Sequence, residues 1–153
     1  MAVNIYREYR LKFYLNARHY IILDGRQGET HPHTWELSLT IRVGRGSFTQ
    51  FRTFEQRINE YLAAYQNRVM NECAPFDAIV PTLENITDYF AGAFYDRLAA
   101  VGGELTRVEA SETPAHSYIL DLEQLRRPQS EELERRMLTD MIDTVLDGIL
   151  PEQ

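Results

Sequence analysis

His31-Pro32-His33 immediately precedes an alternating run from Thr34 to Val43, and His19 closes an earlier run of the same kind. In extended chain, residues two apart point to one face, so the imidazoles of His31 and His33 converge. A hairpin pairing the two runs brings His19 to the same place. Three neutral imidazoles occupy three positions around zinc and leave the fourth open, as in a catalytic site rather than a closed structural one. The competing account is a set of scattered histidines that take up metal only adventitiously, because a single His-x-His pair arises readily by chance. An all-imidazole set also suits iron or nickel, since geometry and availability decide.

The elements that must position these rings are legible as periodicities. A first strand is expected from about Ile5 to Leu15, with Tyr9, Leu11, Phe13 and Leu15 on one face. The second carries Trp35, Leu37, Leu39, Ile41 and Val43 opposite Glu36, Ser38, Thr40 and Arg42. Between them lies a glycine-punctuated loop, Leu23 to Thr30. Thr53-Phe54-Glu55-Gln56 reads as a capping box opening a helix whose apolar face is Phe54, Ile58, Tyr61, Leu62, Tyr65 and Val69. A second helix starts after Thr82 as N-cap, buries Leu83, Ile86, Phe90, Phe94 and Leu98, and ends at Gly102-Gly103. Strands over about Leu105–Ser111 and Ser117–Leu122 follow, joined through Glu112 to His116. A last helix is expected over about Ser130–Leu150, with Leu133, Met137, Met141, Val145 and Ile149 on a stripe and Glu131–Arg135 and Glu132–Arg136 as ion pairs. Strands grouped in pairs indicate an α+β fold: an antiparallel four-stranded sheet, two helices on one face, and a C-terminal helix. Residues 1–125 are expected to form the binding domain and 126–153 a helical extension of it.

The chain has 153 residues with a net charge of -7, from 23 acidic and 16 basic side chains. That balance, with the basic residues dispersed, argues against a nucleic-acid partner. No apolar stretch approaches the ~20 residues that span a bilayer, and the first residues lack the character of a signal peptide. One cysteine, Cys73, excludes an internal disulfide and fits a reducing cytoplasm. An open four-stranded sheet has two edges to cover, and the apolar stripe of the last helix must also bury somewhere, so a homo-oligomer is expected.

Four segments in this order carry a family resemblance: Leu15-Asn16-Ala17-Arg18-His19, His31-Pro32-His33, Pro81-Thr82-Leu83-Glu84-Asn85 and Ser111-Glu112-Thr113. Together they resemble the 6-pyruvoyl-tetrahydropterin synthase and 6-carboxytetrahydropterin synthase family over roughly residues 5–122. The resemblance implies the tunnelling fold, whose subunits join their sheets into a β-barrel as trimers or hexamers. It implies zinc held by His19, His31 and His33, and a pterin anchored by Glu112 between neighbouring subunits. A carboxylate accepts the two adjacent N–H donors on a pterin edge side by side. Glu84 is accounted for by the helix start, where negative charge is favourable.

The departures concern proton transfer. Where the synthases have a cysteine four residues before the His-x-His pair, this chain has Gln27, and where they have Asp-His it has Gln66-Asn67. Proline replaces glycine at position 32. Gln27 retains hydrogen-bonding capacity toward a substrate but, like Gln66 and Asn67, cannot take a proton near neutral pH. Two candidates remain for the base: Glu29, in the metal loop, and His116, at the hairpin tip. Some relatives replace the cysteine by a glutamate and cleave the pterin side chain in an aldolase-like way. The expectation is a zinc-dependent lyase acting on a dihydroneopterin-type compound, the alternative a non-catalytic member that binds zinc and pterin.

Overall fold

The computed structural model describes residues 5–46 and 50–149, with the side chains at 126–134, 137, 144, 147 and 149 outside that description. In chain order the elements are β1 (Tyr6–His19), β2 (Ile22–Leu23), β3 (Arg26–Gln27), β4 (His31–Gly44), α1 (Phe51–Leu62), α2 (Leu83–Ala99), β5 (Glu104–Thr113), β6 (His116–Asp121) and α3 (Leu122–Ile149). The chain divides into two compact units, residues 1–120 and 121–153. Among the described residues no helix is long and apolar enough to cross a membrane.

The first unit is an antiparallel sheet of order β1-β4-β5-β6 with α1 and α2 on one face, the expected α+β arrangement. β1 and β4 pair without interruption from Tyr6 opposite Gly44 to His19 opposite His31. Period-two burial follows: Leu11, Phe13, Leu15, Ala17 and His19 face the helices with Trp35, Leu37, Leu39, Ile41 and Val43. Both strands outrun their expected limits, because the ladder continues through Asn16–Thr34 and Ala17–His33 to the histidines themselves. The loop between them folds into the β2–β3 hairpin. Its turn residues Asp24 and Gly25 have φ of 51° and 74°, the left-handed pair that a tight hairpin requires.

β5 joins β4 with one irregularity. Thr40 pairs with Arg107 but Ile41 pairs with Leu105, so Thr106 is an extra residue, a β-bulge. The bulge switches parity, allowing Leu105, Val108 and Ala110 all to be buried. Opposite them α1 contributes Phe54, Ile58 and Leu62, and α2 contributes Ile86, Phe90, Ala91, Phe94 and Leu98. Each such large side chain contributes about 1.5–3 kcal/mol by leaving water. The outer face of the sheet carries ion pairs instead, Lys12–Glu36 at 3.1 Å and Arg10–Glu109 at 3.7 Å.

Three helix limits differ from expectation. α1 begins at Phe51, with Gln50 in the N-cap position and no side-chain cap; Thr53 lies in the first turn, its amide bonded to the Gln50 carbonyl at 3.0 Å. The same helix stops at Leu62, although the apolar spacing runs on to Val69. Asn67 adopts φ +60° and Val69 bridges to Arg18 of β1, which breaks the helical path. α3 starts at Leu122 rather than near Ser130, because Asp121 Oδ1 accepts from the amides of Glu123 and Gln124, each at 3.0 Å. Of its expected stripe, Met141 and Val145 are exposed, whereas Leu133, Met137 and Ile149 lie outside the described residues, as do Glu131 and Glu132 of the ion pairs. The Thr82 cap is observed: Thr82 Oγ1 accepts from the Asn85 amide at 3.1 Å. Gly102, at φ +86°, turns the chain out of α2.

Candidate metal and ligand site

The register of β1 against β4 sets the site. His19 opposite His31 and Ala17 opposite His33 bring the three imidazoles together at the open end of the hairpin. One ring nitrogen of each lies within 4.8 Å of the others, and the ring centroids are 4.5–5.0 Å apart. His19 is buried at 2% exposure, whereas His31 and His33 are half-buried.

Backbone carbonyls fix the proton positions. His19 Nδ1 lies 2.7 Å from the Pro81 carbonyl, and His31 Nδ1 lies 2.9 Å from the Glu29 carbonyl. A carbonyl only accepts, so both Nδ1 atoms carry a hydrogen, and in the neutral rings both Nε2 atoms present lone pairs. Those two Nε2 atoms are 2.9 Å apart. Two lone pairs that close repel, and either a shared proton or a metal ion between them relieves the contact. Burial lowers the His19 pKa, outweighing the Pro81 hydrogen bond, which raises it, and so keeps the ring neutral and able to ligate.

The donor set therefore fits a metal ion. Two nitrogen ligands on tetrahedral zinc lie about 3.3 Å apart, from bond lengths of ~2.0–2.1 Å, and the observed separations bracket that value. The Pro81 and Glu29 carbonyls supply the outer hydrogen bonds that orient metal-bound histidines. His19, His31 and His33 would hold the ion, and a metal there polarises bound oxygens.

Glu112 enters the same cluster from β5. Its Oε1 accepts from Trp35 Nε1 at 3.0 Å and lies 3.9 Å from His19 Nε2, while Oε2 lies 3.8 Å from His33 Nε2. Trp35, 1% exposed, packs its ring 5.1 Å from that of His19 and 5.5 Å from that of His33. A cavity of about 390 Å³ opens over His19 and His31, lined also by Glu84, Glu112, His116 and Tyr118 among others. Tyr118 donates to Asp88 Oδ1 at 2.7 Å, and this bond raises the phenol to about 12. His116 thus shares a cavity with the metal ligands.

Glu29 and Gln27 stand on the far side of His31, lining a separate cavity of about 880 Å³. Both are exposed, and Glu29 reaches the cluster through its main-chain carbonyl. Gln66 and Asn67 act on the backbone of β1. Gln66 Oε1 accepts from the Asn16 amide at 3.0 Å and its Nε2 donates to the Tyr14 carbonyl at 2.9 Å, and the Asn67 amide donates to the Asn16 carbonyl at 2.6 Å. Sequence reasoning missed the Pro81 carbonyl, the Trp35–Glu112 bond and the Tyr118–Asp88 pair. Only Pro81 left a signal, as the residue preceding the legible Thr82 cap.

The sheet with its two helices has the α+β fold seen in solved pterin-synthase structures. The chain belongs to the family described as 6-pyruvoyl tetrahydropterin synthase, whose sequence model matches residues 8–123. Among solved structures, 6-pyruvoyl tetrahydropterin synthase of Caenorhabditis elegans is similar at a TM-score of 0.63 and 15% identity, covering 76% of this chain and 95% of that one. A Plasmodium vivax 6-pyruvoyltetrahydropterin synthase, with its catalytic glutamate replaced by alanine, is similar at 0.57 and 16%, covering 76% and 98%. An uncharacterized protein from Wolinella succinogenes is similar at 0.58 and 13%, covering 78% and 99%. No curated protein matches the chain.

Proposed function

We infer that the protein is a zinc-dependent lyase acting on a dihydroneopterin-type pterin. The observation that carries this reading is the pair of Nε2 lone pairs of His19 and His31, 2.9 Å apart and each held bare by a carbonyl on the opposite ring nitrogen. A bound metal polarises the side-chain oxygens of the substrate and acidifies adjacent C–H and O–H bonds. The chain must then supply a base, commonly worth ~10²–10⁴ in rate. His116 is our first candidate, since it lines a cavity together with His19 and His31. Glu29 is the second: the Plasmodium vivax relative uses a catalytic glutamate, and Glu29 lies in the loop that carries the family's catalytic residue. Glu112 accepts the pterin N–H edge, and Gln27 supplies a further hydrogen bond. Residues 126–153 extend the binding domain, and the protein works as a cytoplasmic homo-oligomer, trimer or hexamer, closed through its sheet edges.

One observation favours the second reading, a non-catalytic member that binds metal and pterin. The side chain of Gln66, where the synthases have the first residue of Asp-His, is committed to the β1 backbone, and Asn67 offers an amide that cannot take a proton where they have histidine. Incubation of zinc-loaded protein with dihydroneopterin and with its triphosphate, followed by product mass analysis, separates the two. Conversion that disappears in His116→Ala or Glu29→Gln, with ligand retained, supports the enzyme. Tight pterin binding without conversion of either compound establishes the binder. Stoichiometric zinc that is lost in His31→Ala supports both, and its absence refutes both.

A further inference from the structure

Glu112 is the only acidic side chain among the described residues that the structure brings against two of the three histidines, and its position is over-determined. Trp35 donates to Oε1 from a side chain 1% exposed, so a buried, rigid indole holds the carboxylate in place. The carboxylate oxygens lie 3.8 and 3.9 Å from the Nε2 atoms of His33 and His19. Those separations fall inside the range spanned by the histidine nitrogens themselves, 2.9 Å to 4.8 Å. At 3.8 and 3.9 Å the carboxylate is too far to hydrogen-bond either imidazole and near enough to share a cation with them. The same side chain also borders a second cavity, of about 330 Å³, whose wall includes Thr34, Ser111, Thr113 and Ser117. Glu112 therefore stands in the wall between the metal cavity and a hydroxyl-lined one.

We propose that Glu112 is a fourth, displaceable metal ligand: with no pterin bound, its carboxylate closes the coordination position left open by His19, His31 and His33, and a pterin that engages this carboxylate draws it off the metal. The proposal rests on the reading of the triad as a metal centre and on Glu112 as the pterin anchor. A carboxylate on the metal and two N–H donors compete for the same oxygens. The metal thus becomes open to substrate oxygens only when the heterocycle is in place. Trp35 is a positioning residue, giving the carboxylate a fixed post from which to exchange.

Cobalt tests this without any turnover measurement. Metal-free wild type, Glu112→Gln and Trp35→Phe are titrated with Co²⁺, following the visible d–d absorption and competition with a chromophoric chelator, and pterin is then added to each. The expected result is one Co²⁺ per chain in wild type, binding about 10–100-fold weaker in Glu112→Gln with a changed band shape, and a wild-type band that moves toward that of Glu112→Gln on pterin addition. Glu112→Gln is nearly isosteric, and circular dichroism with the unfolding midpoint of the metal-free form establishes that it folds. Trp35→Phe, which keeps the ligand but frees it, is expected to lose affinity by a smaller factor. Equal Co²⁺ affinity and an identical band in wild type and Glu112→Gln overturn the fourth ligand while leaving the three-histidine reading intact. A band in wild type that is unmoved by bound pterin overturns the exchange. Failure of wild type to bind Co²⁺ at all refutes the metal centre itself.

Discussion

Thr82→Ala is expected to weaken the helix and the metal site together, because one turn of chain serves both. Thr82 Oγ1 accepts from the Asn85 amide at 3.1 Å, and Asn85 Nδ2 donates back to the Val80 carbonyl at 2.9 Å. These two bonds clamp the start of α2 around Pro81, whose carbonyl holds His19 Nδ1 at 2.7 Å. Loss of a threonine cap costs about 1 kcal/mol, within a range of ~0.5–2. For a unit of this size that lowers the melting temperature by roughly 4 °C. The carbonyl itself survives the substitution but its mounting loosens, so metal affinity should fall by about tenfold, the lower end of outer-shell effects. Urea unfolding with chelator present measures the first quantity, and chelator competition on folded protein measures the second. Thr82→Ser should restore both. Thr87→Ala, in the same helix, removes a buried hydroxyl that donates to the Leu83 carbonyl at 2.6 Å, and should destabilise without changing affinity. A Thr82→Ala protein that loses about 1 kcal/mol yet binds metal as wild type does would show that the helix start does not hold the His19 tautomer.

Acid should destabilise the metal-free protein through His19. Burial holds its folded pKa below the ordinary 6.5, so the unfolded chain takes up the proton first. Stability is retained above about pH 6.5 and falls as the pH drops below it; unfolding curves at pH 7.5 and 5.5 should show this, with a smaller difference in His19→Gln. Gln66→Ala removes two bonds to β1 and should cost about 1 kcal/mol, with faster amide exchange at Asn16; unchanged exchange there would refute the role assigned to it. Gly103→Ala places a methyl 3.0 Å from Ile41 Cγ2 and from Phe54 Cε1, and overpacking of ~1–3 kcal/mol is expected by chemical denaturation. Leu39→Ala, at a residue with 0% exposure in the central strand, should cost about 2–5 kcal/mol on the same assay.

The legible parts are those whose information is local. Alternation in β1 and β4 survives because one face is buried along the ladder from Leu11 to His19, and His-x-His on such a strand makes the triad visible before any fold is known. Thr82 is legible for the same reason: a cap bonds within three residues. Thr53-x-x-Gln56 has the spacing of a capping box yet sits one turn inside α1, since the helix is set by the burial of Phe54, Ile58 and Leu62 rather than by its end. The Thr106 bulge leaves no mark on composition, being fixed by the β4 partner. The inward turn of Glu112 is equally hidden. Its hydrogen bond to Trp35 spans 77 positions and depends on a register that ends, one step away, with Glu36 opposite Ser111.

The strip of chain at residues 66–69 also works on the edge of the sheet. It lies along β1 and takes up the Tyr14 carbonyl, the Asn16 amide and carbonyl, and the Arg18 amide, the last donating to the Arg68 carbonyl at 2.9 Å. Main-chain groups along a strand alternate between its two sides, so this covers the histidine-bearing end of the edge and leaves Glu8 to Lys12 as the stretch that a further strand can join. A strand added there, from another copy of the chain or from any other source, must come to rest short of the metal end. The β1 edge thus carries its own stop at the histidine-bearing end.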